Sequence, residues 1–157
     1  MKTLIICYSY YRMHTEKIAK VLADRIDADI INLNGSNDLD IDLDSYDLIG
    51  FGSGIYTETM SPKLFMFIDK LDLEDKNVFV FSTSGIGMKF YNNSLVRSLQ
   101  AKGSKVKGSF ACFGSFKTSD FSNFKMFDIL SFFARNRPNK VDFRRAEKFI
   151  DRIIKDL

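Results

Sequence analysis

Apolar and polar residues alternate along the chain in blocks that predict a regular succession of strands and helices. Short apolar runs bounded by polar or glycine-rich stretches are typical of strands, whereas apolar residues spaced three or four apart are typical of amphipathic helices. The strand-like runs occupy residues 2–8, 29–33, 47–53, 77–82 and 105–113, and the helical patterns occupy 16–26, 61–71, 91–102 and 141–157. The first, third and fourth runs are apolar at nearly every position, which predicts central strands covered on both faces.

This alternation of strand and helix predicts an α/β fold, because parallel neighbouring strands need a crossover connection. We expect a single domain over residues 1–157, built as a three-layer, doubly wound sheet of five parallel strands in the order 2-1-3-4-5. In such sheets ligands bind beyond the carboxyl ends of the strands, near the switch point between strands one and three. The connections at that edge are residues 9–15, 53–60, 82–90 and 113–140.

The connection after the first strand is rich in hydroxyl groups and leads directly into a helix. It reads Ser9-Tyr10-Tyr11-Arg12-Met13-His14-Thr15. Backbone N–H groups at a helix N-terminus are unpaired, and the helix dipole adds partial positive charge there, so this segment is suited to holding a phosphate. The alternative is that Ser9 and Thr15 only cap the helix, which needs no ligand.

Two further connections at the same edge combine glycine with small hydroxyl residues. The third strand is followed by Gly52-Ser53-Gly54-Ile55-Tyr56-Thr57, and the fourth by Ser82-Thr83-Ser84-Gly85-Ile86-Gly87. Glycine permits close approach of the backbone to a ligand, and Tyr56 is placed where an aromatic ring could cover a planar ligand. Each loop alone could be a tight strand-to-helix turn, but together the three loops favour a nucleotide site.

Charge is unevenly distributed between the two halves of the sequence. Residues 1–75 contain 7 Lys/Arg and 14 Asp/Glu, a net charge of −7, whereas residues 76–157 contain 16 and 6, a net charge of +10. This asymmetry predicts a polarised surface. We do not expect nucleic-acid binding, because the basic half contains no recognised nucleic-acid-binding module.

The remaining composition favours a cytoplasmic protein. Met1-Lys2 leads straight into the first strand, and no apolar stretch approaches the ~20 residues needed to cross a membrane. Cys7 and Cys112 should lie on strands about 15 Å apart, at about 4.8 Å per strand, which is too far for a disulfide. A single His makes a zinc site implausible, and no metal is expected.

The segment at about 116–137 is longer than an ordinary strand-to-helix connection. Its phenylalanines recur three residues apart and it ends in Arg135 and Arg137, which predicts an inserted amphipathic helix. One interpretation is additional core packing. The other is a lid or docking face for a quinone, a porphyrin, an acidic protein partner or, peripherally, a membrane surface.

Three other classes of protein with related folds are excluded by the residues at the strand ends. A phosphorylated receiver needs an Asp after the third strand and a Lys after the fifth, where this chain has Ser53 and Cys112. A nicotinamide-binding domain needs G-x-G-x-x-G after the first strand, which is absent. A serine hydrolase needs G-x-S-x-G and a late His, and the single His is His14.

The combined motifs resemble those of the short-chain flavodoxins, over essentially the whole chain. The resemblance is carried by Tyr-Ser-Tyr-Tyr-Arg-Met-His-Thr-Glu-Lys-Ile-Ala (8–19), Tyr-Asp-Leu-Ile-Gly-Phe-Gly-Ser-Gly-Ile-Tyr (46–56) and Phe-Ser-Thr-Ser-Gly (81–85). It implies a flavodoxin-like fold that binds FMN non-covalently. Members of this family usually have Gly-Asn before the Thr of the phosphate loop, where this chain has Met13-His14.

The resemblance also implies which residues surround FMN. The phosphate would be held by Ser9, Tyr11, Arg12, His14 and Thr15. The isoalloxazine ring and ribityl chain would be bordered by Ser53, Gly54, Ile55 and Tyr56 on one side, and by Ser82, Thr83, Ser84 and Gly85 on the other. Residues 112–115 would come near the rim.

Two activities follow from this resemblance. The first is an electron carrier, in which bound FMN passes electrons between redox partner proteins and no catalytic acid or base is needed. The alternative is an FMN-dependent oxidoreductase acting on a quinone or porphyrin-type substrate, since the insertion is similar in position to that of the flavodoxin-type protoporphyrinogen oxidase. The sequence specifies neither the redox partners nor the oligomeric state.

Overall fold

The computed structural model describes residues 1–10, 12–34, 41–56, 58–115 and 136–157. Two predictions fall outside these residues: the role of Tyr11, and the amphipathic segment at 116–137 apart from its last two residues. The strands are β1 (Thr3–Tyr8), β2 (Asp29–Asn32), β3 (Leu48–Tyr56), β4 (Thr59–Met60), β5 (Asn77–Ser84) and β6 (Lys105–Phe113). The helices of the described residues are α1 (His14–Ile26), α2 (Pro62–Asp69), α3 (Asn93–Ala101) and α4 (Lys140–Lys155), with 3-10 turns at Leu43–Ser45 and Lys89–Asn92.

Five strands form one parallel sheet in the order β2-β1-β3-β5-β6. This confirms the predicted order, because β4 is a two-residue strand that pairs antiparallel with β3 and stands outside the main path. The register places Cys7 of β1 beside Gly52 of β3, and Ser53 of β3 beside Ser82 of β5. The carboxyl ends of these strands therefore meet at one edge.

Helices cover both faces of the sheet, as a parallel sheet requires. On one face, Ile18 and Leu22 of α1 and Ile150 of α4 pack against the side chains of β1, β5 and β6. On the other face, Leu64 of α2 and Leu95 of α3 pack against alternate residues of β1, β3 and β5. Successive residues of a strand point to opposite faces, so each central strand contributes to both cores.

Two glycines in β3 make room for large side chains on the neighbouring strand. A Cβ atom at Gly50 would collide with the ring of Phe79, and one at Gly52 would collide with the ring of Phe81. Both rings are fully buried on the face covered by α1 and α4. The glycine-rich sequence of β3 therefore serves core packing as well as the predicted loop.

A capping box at Asn139 fixes the entry into α4. The Asn139 side chain accepts a hydrogen bond from Val141 N at 3.0 Å, and the Asp142 carboxylate accepts one from Asn139 N at 3.0 Å. Asp142 is fully buried and forms an ion pair with Arg137 Nε at 3.0 Å. This arrangement holds the start of α4 at the carboxyl edge of the sheet, next to the end of β6.

Candidate functional site

The turn after β1 has the backbone shape of an anion-binding turn. Arg12 and Met13 both adopt left-handed conformations, with φ of 51° and 53°, and α1 begins at His14. The N–H groups of His14 and Thr15 have no acceptor within the helix because they belong to its first turn. Successive N–H groups exposed by such a turn at a helix N-terminus form a concavity that favours an anion.

Met13 therefore occupies the conformation for which the family's usual glycine is suited. The left-handed conformation costs a residue other than glycine roughly 1–2 kcal/mol of conformational free energy. The contacts around the turn hold Met13 in this conformation despite that cost. The turn is therefore formed with Met13 in place of the usual glycine.

Ser9 lies beneath this turn and is 1% exposed. Its Oγ accepts a hydrogen bond from Glu16 N at 3.2 Å, which satisfies one of the unpaired N–H groups of α1. The interpretation of Ser9 as a helix cap therefore has a direct structural counterpart. The hydroxyl hydrogen of Ser9 is a further donor beneath the turn.

Thr15 joins the turn to the end of β5. Its hydroxyl lies 2.9 Å from the hydroxyl of Thr83, and both side chains are buried. The sequence predicted both residues for the site, on different loops, and the structure brings them into direct contact. This contact links the predicted phosphate turn to the segment predicted to border the ribityl chain.

His14 joins the same turn to the chain after β6. Its Nε2 lies 2.9 Å from Ser115 Oγ and 3.2 Å from the Ser115 carbonyl oxygen. Arg12 reaches the same serine, with Nη1 3.4 Å from Ser115 Oγ. A Cβ atom at Gly114 would lie 3.3 Å from His14 Cδ2, so the imidazole packs closely on this backbone.

The surroundings of His14 disfavour its protonated form. Burial is the main cause that lowers the pKa of His14 below its ordinary 6.5, and the nearby positive charge of Lys17 adds to this effect. The Ser115 carbonyl raises the pKa of His14 by accepting a hydrogen bond, whereas the positive charge of Arg12 lowers it further. Nδ1 of His14 is buried and has no hydrogen-bond partner within the described residues.

The residues predicted as the loop after the third strand, Ser53 to Tyr56, belong to strand β3 instead. Ser53 Oγ donates to the Gly54 carbonyl oxygen at 2.7 Å and accepts from Ser61 N at 3.1 Å. Ile55 pairs with Met60, and the hairpin to β4 keeps the strand extended. The predicted end of this strand at residue 53 was therefore wrong by three residues.

Tyr56 lies back over its own strand. Its ring is edge-on to Tyr8, with centroids 6.2 Å apart, and its hydroxyl accepts a hydrogen bond from Tyr10 N at 3.2 Å. The hydroxyl oxygen is 2.8 Å from the position of a Cβ atom at Gly54. Gly54 is therefore the residue that permits this position of the Tyr56 ring.

Strand β5 also extends further than predicted, since Ser82, Thr83 and Ser84 all belong to it and Gly85 is the first residue beyond it. The Ser84 carbonyl accepts a hydrogen bond from Gly114 N at 2.9 Å, and Ser84 Oγ accepts one from Gly87 N at 2.8 Å. The Ser82 hydroxyl is buried and has no partner within the described residues.

Sequence reasoning missed two polar residues that support the site. Ser115 was expected only near the rim, yet it contacts both Arg12 and His14. Asn32, at the end of β2, accepts a hydrogen bond from Ser9 N at 3.4 Å and donates one to Glu16 Oε2 at 3.0 Å. The position of Asn32 at the carboxyl end of a strand next to β1 is the only signal that could have indicated it.

Exposed apolar side chains follow β1 and β5 at this edge. Tyr10 is 67% exposed, Phe90 is 51% exposed and Met88 is 49% exposed. Phe90 packs on Tyr91 with ring centroids 4.1 Å apart. We call Tyr10, Met88 and Phe90 the apolar rim; they follow the carboxyl ends of two strands of the sheet.

The two cysteines are buried and unsuited to redox chemistry of their own. Burial raises the pKa of Cys7 to about 12, with a smaller effect of Glu16, and it also raises the pKa of Cys112. The thiolate is the reactive form of cysteine, so both thiols are protonated at neutral pH. Both are free, and they lie on β1 and β6 with β3 and β5 between them.

Residues 1–10, 12–34, 41–56, 58–115 and 136–157 contain no cluster of three or more His, Cys, Asp or Glu side chains arranged to hold a metal ion. Over the same residues, no helix has the length and apolar character needed to span a bilayer.

This chain is similar in sequence to a known protein family and to a protein of another organism. The flavodoxin domain family model matches residues 5–129. An uncharacterized protein of Methanocaldococcus jannaschii is 38% identical over 159 residues, covering 99% of this chain and all of that protein.

Solved structures share the fold at low sequence identity. A flavodoxin from the domain Archaea superposes with a TM-score of 0.69 at 14% identity, covering 99% of this chain and 98% of that one. The general stress protein 14 of Treponema denticola, solved in complex with FMN, has a TM-score of 0.63 at 11% identity, covering 98% and 99%. With its sheet order and the match over most of its length, this chain belongs to the flavodoxin family.

Proposed function

We propose that this protein binds FMN at the carboxyl edge of its sheet and acts in the cytoplasm as an electron carrier between redox partners. The observation that carries the proposal is the turn at Arg12–Thr15, which keeps an anion-binding backbone although it lacks the usual glycine. The complex of the Treponema denticola neighbour with FMN supports the choice of cofactor.

The turn provides donors of two kinds for a phosphate. The N–H groups at the start of α1 point out of the helix end, and the Arg12 guanidinium adds a charged donor next to them. The nearby Glu16 is partly neutralised and so repels a phosphate less, because its carboxylate forms an ion pair with Lys20 at 2.7 Å and accepts a hydrogen bond from the Asn32 side chain. The electrostatic environment of the turn is therefore suited to a dianion.

The contacts of each predicted phosphate ligand support a proposed role for it. Arg12, His14 and Thr15 stand at the turn itself, and Ser9 supports it from beneath. His14 and Thr15 also fix the turn to β6 and β5, so they position the N–H groups as well as offering polar atoms. Tyr11 remains a proposed ligand on sequence grounds.

The ring system has a proposed place between the ends of β3 and β5. Ser53, Gly54, Ile55 and Tyr56 would border one side, and Ser82, Thr83, Ser84 and Gly85 the other. The Ser82 hydroxyl, buried without a partner among the described residues, is a candidate hydrogen-bonding group at this position. FMN, when bound, supplies reversible acceptance of electrons. The chain's contribution is to hold the phosphate, orient the ring and limit the access of water to it.

The apolar rim favours a second candidate function. Tyr10, Met88 and Phe90 expose apolar surface that a small apolar electron acceptor, such as a quinone or porphyrin, could contact directly. An FMN-dependent oxidoreductase would then turn over such a substrate without a partner protein. Steady-state turnover of a soluble quinone, measured with a chemical reductant and no carrier protein, separates the two functions.

The test of FMN binding is the visible absorbance of the purified protein before and after addition of FMN and desalting. We expect a retained flavin band shifted from that of free FMN. Titration with riboflavin, which lacks the phosphate, is the matched comparison and should show much weaker binding. Equal affinity for riboflavin and FMN would contradict a phosphate site at this turn.

Two arginine variants test whether the FMN phosphate binds at the turn that contains Arg12. Arg12→Ala should weaken FMN binding by roughly 1.5–3 kcal/mol, the range for hydrogen bonds to charged groups. Arg97→Ala removes the same charge from an exposed position on α3 and should leave affinity unchanged. If both variants bind FMN as the parent does, Arg12 is not part of the site.

A further inference from the structure

Helix α4 presents a surface of unusually concentrated positive charge. Its exposed residues include Lys140, Arg144, Lys148 and Arg152, spaced four apart, with Arg145 and Lys155 beside them. Residues four apart in a helix differ in direction by about 40°, so these six cations occupy one side of the helix. From Lys140 to Arg152 the row extends over about 18 Å at 1.5 Å per residue. We call these six residues the α4 cationic face.

Four acidic residues lie on α4 or at its end, namely Asp142, Glu147, Asp151 and Asp156, and the half-buried Glu147 follows Arg144 by three residues. Asp151 is engaged by Arg25 of α1, with two contacts of 2.8 and 2.9 Å. Asp142 is fully buried in its pair with Arg137, and its second oxygen lies 4.0 Å from Arg145. Over the described parts of the chain no ion pair involves Lys140, Arg144, Lys148 or Arg152. A row of like charges held this close is unfavourable by itself.

The cationic face begins next to the candidate site. Ser115, which contacts Arg12 and His14 of the phosphate turn, donates its N–H to the Arg137 carbonyl at 3.0 Å. Arg137 Nη1 in turn donates to the Asn139 side chain at 3.2 Å, directly before Lys140. The first turn of α4 is therefore connected to the phosphate turn through Ser115, Arg137 and Asn139.

The chemistry of this face favours one kind of macromolecular partner. A membrane-surface helix inserts an apolar face into the bilayer, but Ala146, Ile150 and Ile153 of α4 are buried against the sheet. Proteins that bind single-stranded nucleic acid stack bases on exposed aromatic rings, and the exposed positions of α4 carry none. A surface of opposite charge on another protein needs neither property.

From these observations we infer that the α4 cationic face is the docking surface for a small acidic electron-carrier protein. The inference rests on the proposed function, because it assigns the partner class of that site. Charge complementarity steers the encounter and orients the partner. The position of Lys140 and Arg144 brings the acidic partner to the edge at which FMN would bind, and the partner is the reductant that supplies the electrons.

The test is binding of a small acidic [2Fe–2S] ferredoxin as the probe, measured by calorimetry on both the FMN-free and the FMN-loaded protein. The variant Arg144→Glu with Lys148→Glu reverses two charges of the face. The control Arg97→Glu with Lys102→Glu makes the same change in net charge on α3 and at its C-terminus, on the opposite layer. Arg144, Lys148 and Arg97 are exposed and Lys102 is half-buried, with its Nζ donating to the Asp69 carbonyl at 3.0 Å, so circular dichroism checks that each variant is folded.

We expect the α4 variant to bind the probe about tenfold more weakly or worse at low salt, and the control to bind like the parent. The difference should disappear near 0.5 M salt, where the Debye length is only about 4 Å. Equal binding by both variants, or no binding of the probe by the parent at low salt, would overturn the inference.

A different partner bound at the α4 cationic face would give a different result in this test. Duplex DNA or vesicles of anionic lipid that bind the parent, lose affinity with the α4 variant and outcompete the ferredoxin would show a different class of partner. Salt-sensitive self-association abolished by the α4 variant would show a second copy of this chain. Either result overturns the inference. A parent protein that binds FMN but does not bind the ferredoxin refutes the partner alone, whereas a parent protein that binds the ferredoxin but holds no FMN refutes the proposed function.

Discussion

The hydroxyl oxygens of Thr15 and Thr83 lie 2.9 Å apart, in a buried contact between the first turn of α1 and the carboxyl end of β5. Thr15→Val or Thr83→Val should each lower the free energy of unfolding by about 1–3 kcal/mol, because the remaining hydroxyl is left buried without a partner. The double variant should cost much less than the sum. Urea denaturation of the four proteins measures this coupling.

Thr3 provides the control for the double-mutant cycle of Thr15 and Thr83. Its hydroxyl is also buried, at 1% exposure, but it has no hydrogen-bond partner within the described residues. Thr3→Val should therefore be neutral or stabilising. Additive effects of the Thr15 and Thr83 substitutions would contradict the contact.

The left-handed conformation of Met13 predicts a stabilising substitution. Met13→Gly removes roughly 1–2 kcal/mol of conformational cost in the folded state and adds some entropy to the unfolded state, so we expect a net gain of about 0.5–1 kcal/mol. Met13→Val should have the opposite effect, since a β-branched side chain is poorly accommodated at positive φ. Thermal unfolding of the FMN-free variants measures both, and a destabilised Met13→Gly would contradict the strain.

Gly52 and the ring of Phe81 should behave as a complementary pair. Gly52→Ala places a methyl group against that ring and should destabilise the fold by about 1–3 kcal/mol through overpacking. Combining it with Phe81→Leu should recover part of the loss. Chemical denaturation compares the double variant with each single variant, and a well-tolerated Gly52→Ala would show that the ring can move aside.

His14 gives a pH dependence of known sign. Its pKa is lowered in the folded state by burial, so the unfolded chain binds the proton more readily. The associated stability is complete above pH 6.5, the ordinary value, and is lost as the pH falls from 6.5 through the lowered pKa. Relative to His14→Gln, the parent should lose stability below pH 6.5 with a slope of at most about 1.4 kcal/mol per pH unit.

Because the chain contains one His, this comparison isolates a single group. Melting temperatures of FMN-free protein between pH 5 and 8 are the measurement. Parallel curves for the parent and the variant would mean that the imidazole is not buried as the structure places it.

The sheet order could be predicted because the central strands are apolar at almost every position, a pattern that depends only on local sequence. The extension of β3 to Tyr56 could not, because Gly54 has low strand propensity and is held in the sheet by pairing with Thr83 of β5, while Ile55 and Tyr56 are held extended by pairing with β4. The left-handed conformation of Met13 could not be predicted from the sequence either. A left-handed conformation is unfavourable for Met, and it is stabilised by the contacts of His14 with Ser115 beyond β6 and of Thr15 with Thr83 of β5.

The three loops of the candidate site were predicted from their hydroxyl and glycine content and their residues were assigned from the flavodoxin resemblance, but the contacts among those residues were not predicted. The link from His14 to Ser115 joins residues 101 positions apart, and no periodicity in the sequence reports such a pair. Tertiary contacts of this kind determine which of the predicted ligands stand at the turn and which, like Ser9, support it from beneath.

The hydrogen bond from Ser115 N to the Arg137 carbonyl means that the chain departs from the sheet and returns to it at adjacent points. The cost of closing a connection rises only slowly with its length, so a stretch anchored in this way can be lengthened, shortened or exchanged with little effect on the rest of the fold. The number of residues between these two anchor residues can therefore vary while the rest of the fold stays the same. Among related proteins, we expect the greatest diversity in length between these two anchor residues.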